Sequence, residues 1–259
     1  MEYKTIKKPS GFIINLPDNI ADIDKKLALL NARRPFPPAT IKSIKSNELV
    51  EWTYNSNGIE GNTLTLKETK VVLEGITIGG KSVKEHLEAI NHKEAILFLE
   101  ELTEKNSVIA ERDIKGIHQL VLKDIDQENA GRYRKEKVII SGAIHIPPDH
   151  IFVAEQMEQL VLDLKNWSKQ YHPLVVSALL HGEFVKIHPF VDGNGRTARL
   201  LMNFIAIKNG FPPLIIRKEQ RLEYYEALDH THITKDYTAF IRLVFSVAEK
   251  SLDHYLNFV

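Results

Sequence analysis

Any fold open to this chain must contain one joint, a tight loop that runs straight into a helix at residues 188–209. Pro189 biases His188 toward extended backbone, and Asp192-Gly193-Asn194-Gly195 supplies a tight turn, so 188–195 reads as a loop. From Arg196 onward, Leu200, Leu201, Phe204, Ile205 and Ile207 recur at helical spacing, and Asn209-Gly210 with Pro212-Pro213 ends the helix. Gly193 and Gly195 therefore sit at a helix N-terminus. Free N–H groups and the positive end of the helix dipole favour an anion there, and a missing side chain lets an oxygen reach the backbone. Arg196 and Arg199 share a helix face, and two guanidinium forks beside an anion cradle suit a polyphosphate. Asp192 is the loop's only carboxylate. Beside phosphates it needs a cation, so it is assigned to Mg²⁺, which takes one or two carboxylates plus substrate oxygens. His188, whose ordinary pKa lies near neutrality, is left as the proton acceptor.

Two other readings of these residues stay open. His188 beside Pro189 can be a packed loop residue, and His188 with Asp192 can be two ligands of a catalytic metal, with His172 and His181 upstream completing the set. The metal reading leaves Arg196 and Arg199 without a task.

The string His188-Pro-Phe-Val-Asp-Gly-Asn-Gly-Arg-Thr-Ala-Arg199 resembles the signature of the Fic family (filamentation induced by cAMP), His-Pro-Phe-x-(Asp/Glu)-Gly-Asn-Gly-Arg-x-x-Arg, at every defined position. The resemblance implies a mainly α Fic fold, a helical bundle core with one short β-hairpin flap. It implies transfer of AMP from ATP to a Ser, Thr or Tyr hydroxyl of a target protein or of the chain itself, with release of pyrophosphate. His188 would be the base, Asp192 would hold Mg²⁺, and Gly193, Asn194 and Gly195 would line the anion hole. Arg196 would meet the β phosphate and Arg199 the γ phosphate, with Thr197 among the nucleotide-binding residues.

Upstream, Ile41, Ile44, Leu49, Trp52 and Ile59 mark an amphipathic helix of imperfect period that stops at Gly61. Glu60 then lies at the negative end of a helix, where a carboxylate opposes the dipole by roughly 0.3–1 kcal/mol, so a cationic partner is expected. Ser56 and Glu60-Gly61 resemble the family's inhibitory motif, (Ser/Thr)-x-x-x-Glu-(Gly/Asn). By that resemblance Glu60 pairs with Arg199 and takes the place of the γ phosphate. Between the two motifs, Val138-Ile139-Ile140 and Ala143-Ile144-His145-Ile146 flank Ser141-Gly142 and read as a hairpin. Its family counterpart is the flap, which holds the target by strand addition, while Ile139, Ile140, Ser141 and Gly142 cover the nucleotide. Downstream, Arg221-Leu-Glu-Tyr224-Tyr225-Glu-Ala-Leu228 resembles a segment that borders the adenine in relatives, with Tyr224 and Tyr225 as the base-facing residues. Relatives often carry an Asn where this chain has His232, which bears on strictness for adenine.

Lys plus Arg balances Asp plus Glu at 34 each, so no global basic field draws nucleic acid. The absence of cysteine excludes disulfides, thiolate nucleophiles and Cys-ligated zinc. The first residues lack the apolar core of a secretion signal and no apolar run reaches spanning length, so a soluble, cytoplasmic protein without a membrane partner is expected. The expected layout is an N-terminal arm (1–38), an N-terminal helical region with the inhibitory helix (39–105) and the catalytic core (106–259), with homodimer formation open. Capping boxes at Thr65-x-x-Glu68 and Ser82-x-x-Glu85 open two helices, and further helices are expected near 110–123, 152–169, 173–187, 218–229 and 236–256. Other family chemistries remain as alternatives, namely AMP removal or transfer of another phosphoryl-containing group. A non-catalytic nucleotide-binding interaction module is a further one.

Overall fold

A computed structural model describes residues 11–105, 109–140 and 142–259. In chain order its α-helices are α1 (Ile20–Ala32), α2 (Pro38–Ile59), α3 (Leu66–Leu73), α4 (Val83–Glu104), α5 (Glu111–Val121), α6 (Val153–Gln170), α7 (Pro173–Ile187), α8 (Asn194–Lys208), α9 (Arg221–Thr234) and α10 (Thr238–Phe258). The bundle is built around the pair α7 and α8, against which α4, α5, α6, α9 and α10 pack. The sequence dictates that centre. Leu174, Val175, Val176, Ala178, Leu179, Leu180 and Phe184 are apolar on every side of α7 and all are buried, as expected of a helix enclosed by others. One apolar core runs from Ile23 to Tyr255, with a small second cluster of Leu64, Val72 and Ala89 under α3.

Both capping boxes form. Thr65 Oγ1 accepts from Glu68 N at 3.2 Å while Glu68 accepts from Thr65 N at 2.7 Å, and Ser82 and Glu85 repeat the exchange at 3.2 and 2.9 Å. Proline opens α2 and α7, where its missing N–H is no loss.

Three expectations are corrected. The stretch read as an N-terminal arm contains α1, which lies on α10 and buries Ile23 and Leu30. Ile20, Ile23, Leu27 and Leu30 do recur at helical spacing, but the proline-rich run at 35–38 dominates the reading of that stretch. Ahead of α1, Ile13 pairs with the turn before α10 (Ile13 N to Lys235 O and Tyr237 N to Ile13 O, both 2.9 Å).

The hairpin is the second correction. Among the described residues, 138–140 and 143–146 form a turn, with Ala143 N donating to Ile140 O at 3.2 Å and Gly142 at φ +78, but no strand ladder. Ser141 lies outside the described residues. Ile139, Ile144 and Ile146 are 87, 73 and 77 % exposed and Val138, Ile140, Ala143 and His145 only half-buried, so neither face of the runs is fully buried, and a lone ribbon without such a face is marginal.

The third concerns His188. Its backbone is left-handed, φ 51 and ψ 58, rather than extended. It ends α7 as an αL cap with its N–H on Phe184 O at 3.0 Å, a conformation that costs a non-glycine residue about 1–3 kcal/mol and recurs at functional sites.

Candidate active site

The end of α7 and the start of α8 are joined by a loop pinned from inside. The Asn194 side chain donates to Phe190 O at 2.8 Å and accepts from Phe190 N at 3.0 Å, closing 190–194 on itself. Phe190, fully buried, stacks on His118 of α5 with centroids 3.5 Å apart. His118 Nδ1 accepts from Gly131 N at 2.9 Å, so Nε2 carries the proton and donates to Asp192 O at 2.8 Å. Gly193 follows at φ +76, and a Cβ there would come within 3.2 Å of both His118 Nε2 and Val121 Cγ1. Glycine is required at this position on both counts.

The loop delivers His188, Asp192 and the N-terminus of α8 to one cavity of about 390 Å³, also lined by Glu60, Ile139, Ile140, Gly142, Gly195, Tyr224, Tyr225 and His232. The His188 ring is buried against the Val185 carbonyl and opens on the cavity. Burial pushes its pKa down to about 4, with the Val185 carbonyl and Glu60 acting the other way and Arg134 and His145 adding to the fall. It is therefore a neutral imidazole at physiological pH, as a base must be. For Asp192, burial works upward, but Arg196 and the Gly193 N–H outweigh it and hold the carboxyl below the usual range.

Arg199 is fully enclosed and its guanidinium is committed to the end of α2. It donates to Ser56 Oγ at 3.0 Å, to Ser56 O at 2.8 Å and to Glu60 Oε1 at 2.7 Å, with a longer contact of 3.4 Å to Tyr224 OH. Ser56 O is one of the helix's last carbonyls, so a cation there satisfies an orphan acceptor and complements the dipole. The cationic partner that Glu60 needs is present. Its carboxylate also lies against the N-terminus of α8: a Cβ placed on Gly195 would collide with Glu60 Oε1.

Arg196 is 2 % exposed and lies 3.4 Å from both Asp192 Oδ1 and Glu88 Oε1, with Nε and one terminal nitrogen lacking a hydrogen-bond partner. Neither Arg196 nor Arg199 is part of the cavity wall; both lie behind the first turn of α8. The expected residues do not all converge. Thr197 turns its Oγ1 into the interior, where it has no partner, and does not line the cavity. Asn194 lines the cavity, but its amide is consumed by Phe190. Tyr224 is buried, bonded to His181 Nε2 at 2.9 Å, whereas Tyr225 is partly exposed and donates to Ile59 O at 3.2 Å. His232 Nε2 donates to Gly182 O, 3.0 Å away, and burial lowers its pKa to about 4.

His172 caps the opposite end of α7 from His188, accepting from Leu174 N at 3.2 Å, and His181 is enclosed by Tyr224 and Phe240. The three histidines therefore cannot share one ion with Asp192. Asp192, a carboxylate on the cavity wall among anion-binding donors, fits the single-carboxylate manner in which Mg²⁺ joins a bound phosphate.

Sequence reasoning missed His118, Glu88 and Arg134. His118 interrupts the apolar stripe of Ile114, Ile117 and Val121 and carried that faint signal; Glu88 and Arg134 depend on tertiary neighbours that no local pattern reveals.

The Fic/DOC family model matches residues 108–206. A curated relative from Nematostella vectensis, "Protein adenylyltransferase Fic", is 42% identical over 210 residues, covering 78% of this chain and 48% of its own length. Fic-1 from C. elegans superposes with TM-score 0.80 at 33% identity, covering 92% of this chain and 71% of that one. A Fic domain containing signaling protein from Bacteroides thetaiotaomicron gives TM-score 0.78 at 27% identity, with 93% and 95% covered. The chain spans about half the length of the curated relatives it matches. With the family match over 108–206 and the fold shared with Fic-1 at 33% identity, the chain belongs to the Fic/DOC family.

Proposed function

We propose that this chain is a protein adenylyltransferase held inactive by its own helix α2. One observation carries the reading: Glu60 occupies the anion position at Gly195 while pairing with Arg199 at 2.7 Å, in the same cavity as the neutral His188. A carboxylate in a phosphate's place is what an ATP-binding site kept closed by the protein would contain. The naming of relatives as adenylyltransferases supports the same activity.

In the proposed reaction ATP lies with its phosphates over the N-terminus of α8. His188 takes the proton of a Ser, Thr or Tyr hydroxyl, the oxygen attacks the α phosphorus, and the bond to the β phosphate breaks, releasing pyrophosphate. Backbone N–H groups from Gly193 to Gly195 receive charge on the phosphates, with Arg196 at the β phosphate and Arg199 at the γ phosphate once Glu60 withdraws. Such preorganised donors are the usual main source of rate in phosphoryl-type transfer. Asp192 would hold Mg²⁺, which neutralises phosphate charge when bound. The acceptor segment lies along 138–146, where Ile139, Ile144 and Ile146 are exposed and, among the described residues, no strand ladder forms and the main chain is bonded within the segment at Ala143 N to Ile140 O, which supports strand addition. A target protein and a second copy of the chain are both proposed acceptors, and a cytoplasmic setting and homodimer are proposed with them. Among the described residues no helix is long and apolar enough to cross a membrane.

A second reading, removal of AMP from a target, is favoured by one feature. Glu60 keeps about a third of its side chain exposed beside the cavity, so its second oxygen can orient a water. Loss of AMP-removing activity in Glu60→Gly would be its signature.

The test is calorimetric. Glu60→Gly should bind ATP at least tenfold more tightly than the parent chain, and Glu60→Gly/Arg199→Ala should lose the gain. Equal affinity in parent and Glu60→Gly would overturn the occupied-anion-site reading.

A further inference from the structure

Arg134 is a buried cation, 3 % exposed, with no carboxylate in ion-pair contact among the described residues. Its hydrogen bonds go to main-chain carbonyls, with the Asp149 and Glu136 carboxylates as opposite charges farther off. Its Nε donates to His188 O at 2.8 Å, one terminal nitrogen to Pro148 O at 2.6 Å and Ile187 O at 3.4 Å, and the other to Glu136 O at 2.9 Å. Its own backbone N–H donates to Pro189 O at 3.0 Å. The carbonyls of three consecutive residues, Ile187, His188 and Pro189, are thereby tied to one residue. The middle one is the left-handed His188. A disfavoured backbone persists only where its surroundings over-determine it, and Arg134 supplies that constraint. Glu136 and Pro148 flank the segment that brings Ile139 and Ile140 to the cavity wall, so the same guanidinium also clasps both ends of that segment.

We propose that Arg134 is a positioning residue of the transfer reaction, fixing the backbone of His188 and the base of the 137–147 segment in one carbonyl cage so that the imidazole faces the acceptor hydroxyl. The inference rests on the transferase reading above. A planar fork is needed, because carbonyls on three sides must be met by donors of fixed direction, which a lysine ammonium does not offer. The cation has an electrostatic role as well. His188 is faced by Arg134 and His145, which disfavour its protonation, by Glu60 from α2, which favours it, and by His232 from α9. Removing the Arg134 charge should therefore make His188 easier to protonate.

Arg134→Lys keeps the charge and loses the fork; Arg134→Gln loses both. Each is made in the Glu60→Gly chain, and three quantities are read: ATP affinity, single-turnover AMP transfer against pH, and the titration midpoint of the His188 ring by ¹⁵N NMR without nucleotide. The expected result is ATP affinity within twofold of Glu60→Gly, transfer slowed at least tenfold in both variants, and a His188 midpoint and acid limb moved to higher pH in Arg134→Gln only. Transfer within twofold in both variants overturns the proposal, as does loss of folding in both, which would make Arg134 purely structural. If Glu60→Gly itself transfers no AMP, the transferase reading fails. The NMR midpoint then still decides whether Arg134 acts on His188, an unchanged midpoint in Arg134→Gln counting against it.

Discussion

At the residue scale, the site depends on side chains whose ordinary preferences are overruled. Burial holds the His188 pKa near 4, so the proposed base would be lost as pH falls through that value and fully available from about pH 6 upward. His188→Ala should bind ATP within about threefold of the parent and lose roughly 10²–10⁴ in transfer rate, measured by single turnover in the Glu60→Gly background. Tyr224 gives a second residue-level expectation. Because Arg199 donates to its oxygen, its hydroxyl hydrogen is directed at His181 Nε2, which leaves the His181 proton on a buried, unpartnered Nδ1. Tyr224→Phe strips a partner from both neighbours and should destabilise the fold by about 1–3 kcal/mol, read from urea unfolding. A change below about 0.3 kcal/mol would mean the chain of contacts carries no weight.

At the element scale, the helices legible in the sequence were those whose ends carry their own chemistry. Thr65 and Ser82 announce α3 and α4 by capping boxes, and Pro173 and the Asn209-Gly210 stop bracket the central pair. Ser82→Ala should cost about 1 kcal/mol in chemical denaturation, and an unchanged midpoint would show that Glu85 holds the helix start alone. The loop at 188–195 running into α8 was legible because glycine, amide and arginine spacing is local. The hairpin was not, since β-branched composition says nothing about whether a face will be buried, and Ile139, Ile144 and Ile146 remain in solvent. His188 was misjudged for a related reason. Proline restricts the residue before it, but the carbonyl cage around Arg134 selects the left-handed alternative from 54 residues away.

At the scale of the whole molecule, a core rich in buried histidine sets the pH response of stability. Burial lowers the pKa of His92, His118, His181, His188 and His232, with His118, His188 and His232 near 4. The unfolded chain, with histidines near 6.5, binds more protons across pH 4–6.5, so this contribution is complete above pH 6.5 and is lost as pH falls through 4. Glu48 has the opposite sign. Burial raises it to about 7, the Tyr255 hydrogen bond partly offsetting this, so its contribution is complete below 4.5 and is lost as pH rises through 7. Several histidines outweigh one glutamate, and Tm should climb from pH 4 to 6.5; Glu48→Gln should steepen that climb by removing the opposing slope. A Tm flat over this interval would show that the histidines are not buried as described.

One helix, α2, both completes the core and sets Glu60 against the N-terminus of α8, the position that the proposed function gives to a phosphate. The most direct measurement is the intact mass of the Glu60→Gly chain after incubation with ATP and Mg²⁺, beside the parent chain and Glu60→Gly/His188→Ala. A gain of one AMP on Glu60→Gly, little on the parent and none on the double variant is the expected result. Equal labelling of parent and Glu60→Gly, or labelling that survives His188→Ala, would contradict it.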